Sequence, residues 1–168
     1  MQAYEEKFIE AYDLHVDALF KYCSFKVSDR ELAKDLVQET FMKTWSYIAG
    51  GGQVDSMKPF LFRTLGNLII DHYRKKKSVS LDALAEDGFD PGEDETEALF
   101  DSLDGKRAAE LIKDLPEEYS EIIYMRYIEE MPLEDIAEAT GLTKNAATVR
   151  AHRGLQKLKT LFEHEQKH

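Results

Sequence analysis

Apolar residues recur every three or four positions along most of this 168-residue chain, and nowhere do apolar and polar residues alternate as a half-buried strand requires. Phe8, Tyr12, Val16, Leu19 and Cys23 make one stripe, and Leu32, Leu36, Thr40, Phe41, Trp45 and Ile48 make a second. Leu61, Phe62, Leu65, Leu68, Ile69 and His72 make a third, wider one. Only four prolines and nine glycines interrupt the pattern. An all-α fold is expected, with 43% apolar residues to fill one medium core or two small ones.

The interruptions divide the pattern. Ser28-Asp29 supplies a turn and a helix N-cap, and Gly50-Gly51-Gly52 opens a flexible loop from about Ala49 to Lys58, because each glycine costs about 1 kcal/mol relative to alanine in a helix. Pro59 suits the first turn of a third helix, where its missing N–H would lack a partner anyway. Residues 78–104 are rich in Asp, Glu and Gly and read as a linker, with Leu81, Leu84, Phe89, Leu99, Phe100 and Leu103 scattered through it. Beyond it, helical stretches are separated at Leu115-Pro116, Met131-Pro132 and Gly141. The expected architecture is two small helical domains, residues 1–77 and 105–168, joined by an acidic linker over 78–104.

A net charge of -11 argues at first against nucleic acid, since a DNA-binding surface must replace phosphate counterions with Lys and Arg. Its distribution argues the other way. Residues 1–77 carry 12 basic and 11 acidic side chains, 78–114 carry 3 and 12, and 115–168 carry 7 and 10. The excess acid is therefore concentrated in one internal segment, while Arg74-Lys75-Lys76-Lys77 is a basic cluster and Gly141 to Phe162 contains no acid at all.

Cys23 is the single cysteine, so neither an intramolecular disulfide nor a cysteine-rich zinc site is available. The five histidines show no metal-ligand spacing, and no glycine-rich phosphate loop precedes a helix, so neither an enzyme nor a bound cofactor or metal is expected. A basic-then-apolar leader and an apolar run of roughly 18 residues are both missing from the sequence, which points to a cytoplasmic protein with no direct membrane insertion.

Leu133 to Gly154 has the layout of a helix-turn-helix: a short amphipathic helix, a turn containing Gly141, and a basic second helix capped by Thr143. Lys144 and Asn145 stand in the first turn of that second helix and Arg150 and Arg153 on a later face, with Ala146, Val149, Leu155 and Leu158 turned inward. Asn can read adenine, and Arg and Lys can read guanine or hold phosphate. A bundle whose last helix is merely basic and solvated would show the same pattern.

Three segments in order carry a more specific resemblance. Ala33-Lys34-Asp35-Leu36-Val37-Gln38-Glu39-Thr40-Phe41-Met42-Lys43-Thr44-Trp45 resembles the polymerase-binding motif of bacterial sigma factors. Pro59-Phe60-Leu61-Phe62-Arg63-Thr64-Leu65-Gly66-Asn67-Leu68-Ile69-Ile70-Asp71-His72-Tyr73-Arg74 is similar to their promoter-melting and minus-ten helix. Gly141 to Leu155 resembles the segment that reads the minus-thirty-five element. Together the three match the sigma-70 family, and the lack of further domains matches its two-domain, extracytoplasmic-function type.

The resemblance implies a non-catalytic specificity subunit that binds core RNA polymerase, selects promoter DNA and helps to open it. Asp35, Gln38, Glu39 and Lys43 would meet the polymerase. Lys58, Arg63, Asn67, Arg74, Lys75, Lys76 and Lys77 would meet the minus-ten DNA, with the 49–58 loop where relatives trap an extruded base. Thr143, Lys144, Asn145, Arg150, Arg153 and Lys157 would meet the minus-thirty-five DNA. Gly66 and the three consecutive glycines depart from the family pattern. An anti-sigma factor stays open as a further partner, and two other readings stand beside this one: a sigma mimic that occupies an anti-sigma factor, and a stand-alone helix-turn-helix regulator.

Overall fold

The computed structural model describes residues 2–76 and 105–166, and among these it is helical with no strand. Residues 77–104, which include the expected linker, lie outside the described residues. Among the described residues the chain divides into two compact units, the first holding 2–76 together with 138–141 and the second the remainder.

The first unit is a three-helix bundle of α1 (Gln2–Val27), α2 (Arg30–Ala49) and α3 (Met57–Lys76), each packed on the other two. Leu19, Tyr22 and Cys23 of α1 meet Leu61, Phe62, Leu65 and Ile69 of α3 in a closed core, with the Tyr22 and Phe62 rings 5.2 Å apart. Enclosing each such side chain stabilises the bundle by about 1.5–3 kcal/mol. The α1–α2 connection is two residues long: Ser28 turns the chain at φ 57°, and the Asp29 carboxylate accepts from the Glu31 and Leu32 amides at 3.1 and 3.2 Å. That is the N-cap expected from sequence.

Thr40 and Thr44 are wholly buried on the inner side of α2, although both are polar. Each hydroxyl donates to the carbonyl one turn earlier, Leu36 O and Thr40 O, both at 2.8 Å, so neither needs a partner from another helix.

At the start of the loop between α2 and α3 the Gly51 amide donates to Ile48 O and the Gly52 amide to Tyr47 O at 2.8 Å, which closes the end of α2. Gly51 adopts φ 98°, and a Cβ on Gly52 would strike the Tyr47 ring at 2.4 Å. Tyr47 in turn lies 5.2 Å from Phe60. Gly52 thus lets an aromatic ring lie against backbone, while Gly51 supplies the positive φ of the turn. Helix α3 starts two residues before Pro59, which sits in its first turn.

The helices that follow are α4 (Gly105–Lys113), α5 (Glu117–Ile123), α6 (Leu133–Thr140) and α7 (Lys144–Gln166), of which α4, α5 and α7 lie wholly in the second unit. Helix α5 packs along α7, and α4 braces both. Beyond Ile123 the chain widens into a π-helical turn, Tyr124–Ile128, closed by Glu129 N donating to Tyr124 O at 3.2 Å. Along this turn Tyr124 and Met125 are buried, while Arg126 and Tyr127 are half-buried. Half-buried Arg126 donates to Met131 O at 3.2 Å, and Glu130 reverses the chain at φ 55°. In α7 the fully enclosed alanine is Ala147, not its neighbour Ala146.

Candidate functional site

On α2 the four residues assigned to polymerase contact, Asp35, Gln38, Glu39 and Lys43, are all exposed. Beside them runs a feature that sequence alone did not give, an open, mostly apolar groove of about 680 Å³ between α1 and α2. Its floor is a ring cluster, with Phe8 5.2 Å from Trp45 and Tyr12 4.7 Å from Phe41. Gln38 and Met42 lie on its edge. At one end Arg30 stands 5.5 Å over the Phe20 ring. Met42 is 64% exposed and Tyr12 44%, so the groove is apolar surface left facing water. Sequence periodicity put Phe8 and Tyr12 on one stripe with Leu19 and Cys23; only the latter two are enclosed, and Phe8 and Tyr12 stay open to the groove.

On α3, Arg63, Asn67, Arg74 and Lys75 are exposed along one side, and Lys58 is half-buried in the first turn. The Lys76 side chain and Lys77 lie outside the described residues. Ile70 and Tyr73, 48% and 40% exposed, belong to the same outward side and were not singled out from sequence. An exposed ring among cations is the combination on which unstacked bases can rest. His72 is half-buried, its Nε2 is enclosed without a hydrogen-bond partner, and its ring meets that of Tyr73 edge to face at 5.6 Å.

Further along the chain α6, the 141–143 turn and α7 form a helix-turn-helix. Gly141 takes φ 76° to end α6, and the Thr143 hydroxyl accepts from the Ala146 amide at 3.1 Å. Lys144 and Asn145 are exposed at the start of α7, and Lys144 Nζ is held 2.9 Å from the Glu134 carboxylate. Arg150 and Arg153 are half-exposed, and Lys157, further along, is exposed with its Nζ 5.4 Å above the Tyr119 ring.

Burial pushes the Cys23 thiol up to about 12, far from a reactive thiolate. Among the described residues no group of His, Cys, Asp and Glu could hold a metal ion, and no helix is long and apolar enough to cross a membrane.

Two family models match the chain in order: "Sigma-70 region 2" over residues 11–79 and "Sigma-70, region 4" over residues 106–158. The chain is 27% identical to the ECF RNA polymerase sigma factor SigW of Bacillus subtilis, over 92% of its own length and 88% of that protein's. To RNA polymerase sigma factor SigZ of the same organism it is 28% identical, over 92% and 86%. Among solved structures, the sigma factor RpoE of Bartonella quintana, crystallised with the anti-sigma factor NepR, superposes with a TM-score of 0.68 at 23% identity, covering 94% of this chain and 98% of that one. That likeness shows the fold.

Proposed function

The chain belongs to the sigma-70 family, as a sigma factor of its extracytoplasmic-function type, and from that premise we propose how its surfaces divide the work of starting transcription. It directs core RNA polymerase to promoters, and as an initiation factor it contributes binding and not catalysis. The observation that carries this reading is the pair of family matches, in order, on two compact helical units.

The first unit binds the polymerase through the exposed row Asp35, Gln38, Glu39 and Lys43, with the groove floored by Phe8, Tyr12, Phe41 and Trp45 offering apolar area beside it. Such area supplies most of the affinity, and the charges steer the approach. Its α3 face meets the minus-ten element: Lys58, Arg63, Arg74, Lys75, Lys76 and Lys77 neutralise phosphates, and Asn67 offers a polar contact to a base. Unstacking a base costs a few kcal/mol, which the loop sealed by Tyr47 offsets by holding the base once it leaves the duplex.

The second unit lays α7 in the major groove at the minus-thirty-five element. Thr143, Lys144 and Asn145 enter first, Arg150 and Arg153 follow, and Lys157 lies further along. The protein works in the cytoplasm beside the polymerase. An anti-sigma factor of the kind seen with the Bartonella protein would silence it by covering any one of these three surfaces.

The test is co-elution with bacterial core RNA polymerase at moderate salt, followed by run-off transcription from a genomic promoter library. Gln38→Ala is expected to weaken co-elution, and Arg150→Ala to weaken promoter selection with co-elution intact. No association with cognate core would overturn the reading and favour a stand-alone regulator or a mimic.

A further inference from the structure

Arg150, Arg153, Lys157 and Thr160 follow one another at spacings of three and four residues, so they share one face of α7. Arg153, Gln156, Lys157 and Thr160, with Tyr119 of α5, line a shallow notch of about 330 Å³ that contains no acid. Tyr119 is 8% exposed and fixed in the core of the second unit. Lys157 Nζ stands 5.4 Å above its ring, within reach of the negative π face. The Thr160 hydroxyl donates to Gln156 O at 3.0 Å, so its proton is already in use and the donors facing the notch are cationic or amide N–H groups. This combination suits an anion.

Distance along the helix decides which anion. From Lys144 to Lys157 the helix rises about 20 Å, at about 1.5 Å per residue, whereas the major groove is about 12 Å wide. A helix whose first turn touches bases has therefore left the groove by Lys157 and is passing the phosphate backbone. We propose that the notch is a phosphate site at the groove edge and that Tyr119, which touches no DNA, is the positioning residue that holds Lys157 over it. A free lysine loses rotamer freedom when it binds phosphate; one already lying on a ring loses less. The proposal rests on the minus-thirty-five role of α7.

The experiment uses the full chain assembled with core polymerase on a promoter it has selected, with affinity measured across a salt series. Lys157→Gln should weaken binding about fivefold and lower the salt slope by about 1. Its relative loss should be the same when bases of the minus-thirty-five element are changed, because a phosphate contact carries no sequence information. Tyr119→Leu keeps the apolar bulk but removes the ring; it should produce a similar loss and add little on top of Lys157→Gln. Tyr119→Phe and Lys157→Arg should stay near the parent. Additive losses, or an unchanged salt slope, would overturn the proposal. Should Tyr119→Leu fail to fold, the Lys157→Gln and Lys157→Arg pair decides. Arg150→Ala separates the two levels: if it too is harmless, the minus-thirty-five role fails, whereas if it alone weakens binding, only the phosphate notch does.

Discussion

Gly154 lies so close to Ile123 that a Cβ placed on it would stand 2.8 Å from Ile123 Cγ1, with Tyr119 Cβ 3.3 Å away. Helices α5 and α7 therefore meet here through bare backbone. Gly154→Ala should destabilise the second unit by about 1–2 kcal/mol, the overpacking exceeding the gain of about 1 kcal/mol in helix propensity. Thermal melting reads the loss, and in an Ile123→Ala chain the added methyl should no longer destabilise and should recover up to about 1 kcal/mol of helix propensity, the signature of two residues sharing one space.

Glu130 holds φ 55°, a conformation that costs an L-residue about 1–2 kcal/mol. Glycine adopts it freely but loses more entropy on folding. Glu130→Gly should therefore raise stability by about 0.5–1 kcal/mol, visible as a higher melting temperature. A decrease would mean that the Glu130 side chain makes a contact outweighing the strain.

Cys23 is wholly enclosed, and burial lifts its thiol from an ordinary 9.0 to about 12. Between those values the unfolded chain releases the proton and the folded chain keeps it. Fewer protons on the unfolded state make stability fall as pH rises through that window. Tyr124 is also raised, by burial first and by the Glu129 carboxylate second, and strengthens the trend in the other unit. Melting followed from pH 8 to about 10.5 should show a decline that Cys23→Ala flattens in the first unit only. Native Cys23 should also resist alkylation at pH 8 until the bundle unfolds.

Glu134 keeps Lys144 at 2.9 Å, and both side chains are more than half exposed. Such a pair contributes little to stability, so Glu134→Gln should leave the melting temperature nearly unchanged. It removes a negative charge beside a cation assigned to DNA, and promoter affinity of the assembled polymerase should rise a few-fold, most at low salt. Unchanged affinity would mean that Lys144 does not reach the DNA.

The helices of the first unit were legible because their ends are written locally: Asp29 caps α2, Gly50 stops it, and Pro59 sits in the first turn of α3. Apolar spacing then gave the core faces of α2 and α3. What was hidden depends on contacts between segments or on a change of helical period. No residue type marks the widened turn at Tyr124, so neither the turn nor the burial of Tyr124 and Met125 was legible. The need for Gly52 was hidden because the ring that lies against it, Tyr47, belongs to α2. The outward residues Asp35, Gln38, Arg63 and Asn67 could be placed on their faces from sequence, whereas the groove along α1 and α2 depends on side chains from two helices at once.

That groove also bears on how the chain behaves when nothing covers it. With Tyr12 and Met42 wetted, it is an adhesive strip, and two copies meeting strip to strip would hide apolar area at little cost. The net charge of -11 per chain, carried mostly by residues 78–114, opposes such a meeting over a screening distance of about 10 Å at 0.1 M salt. Acidifying toward the isoelectric point near 4.9 removes that repulsion and leaves the strip, so self-association is expected to rise there.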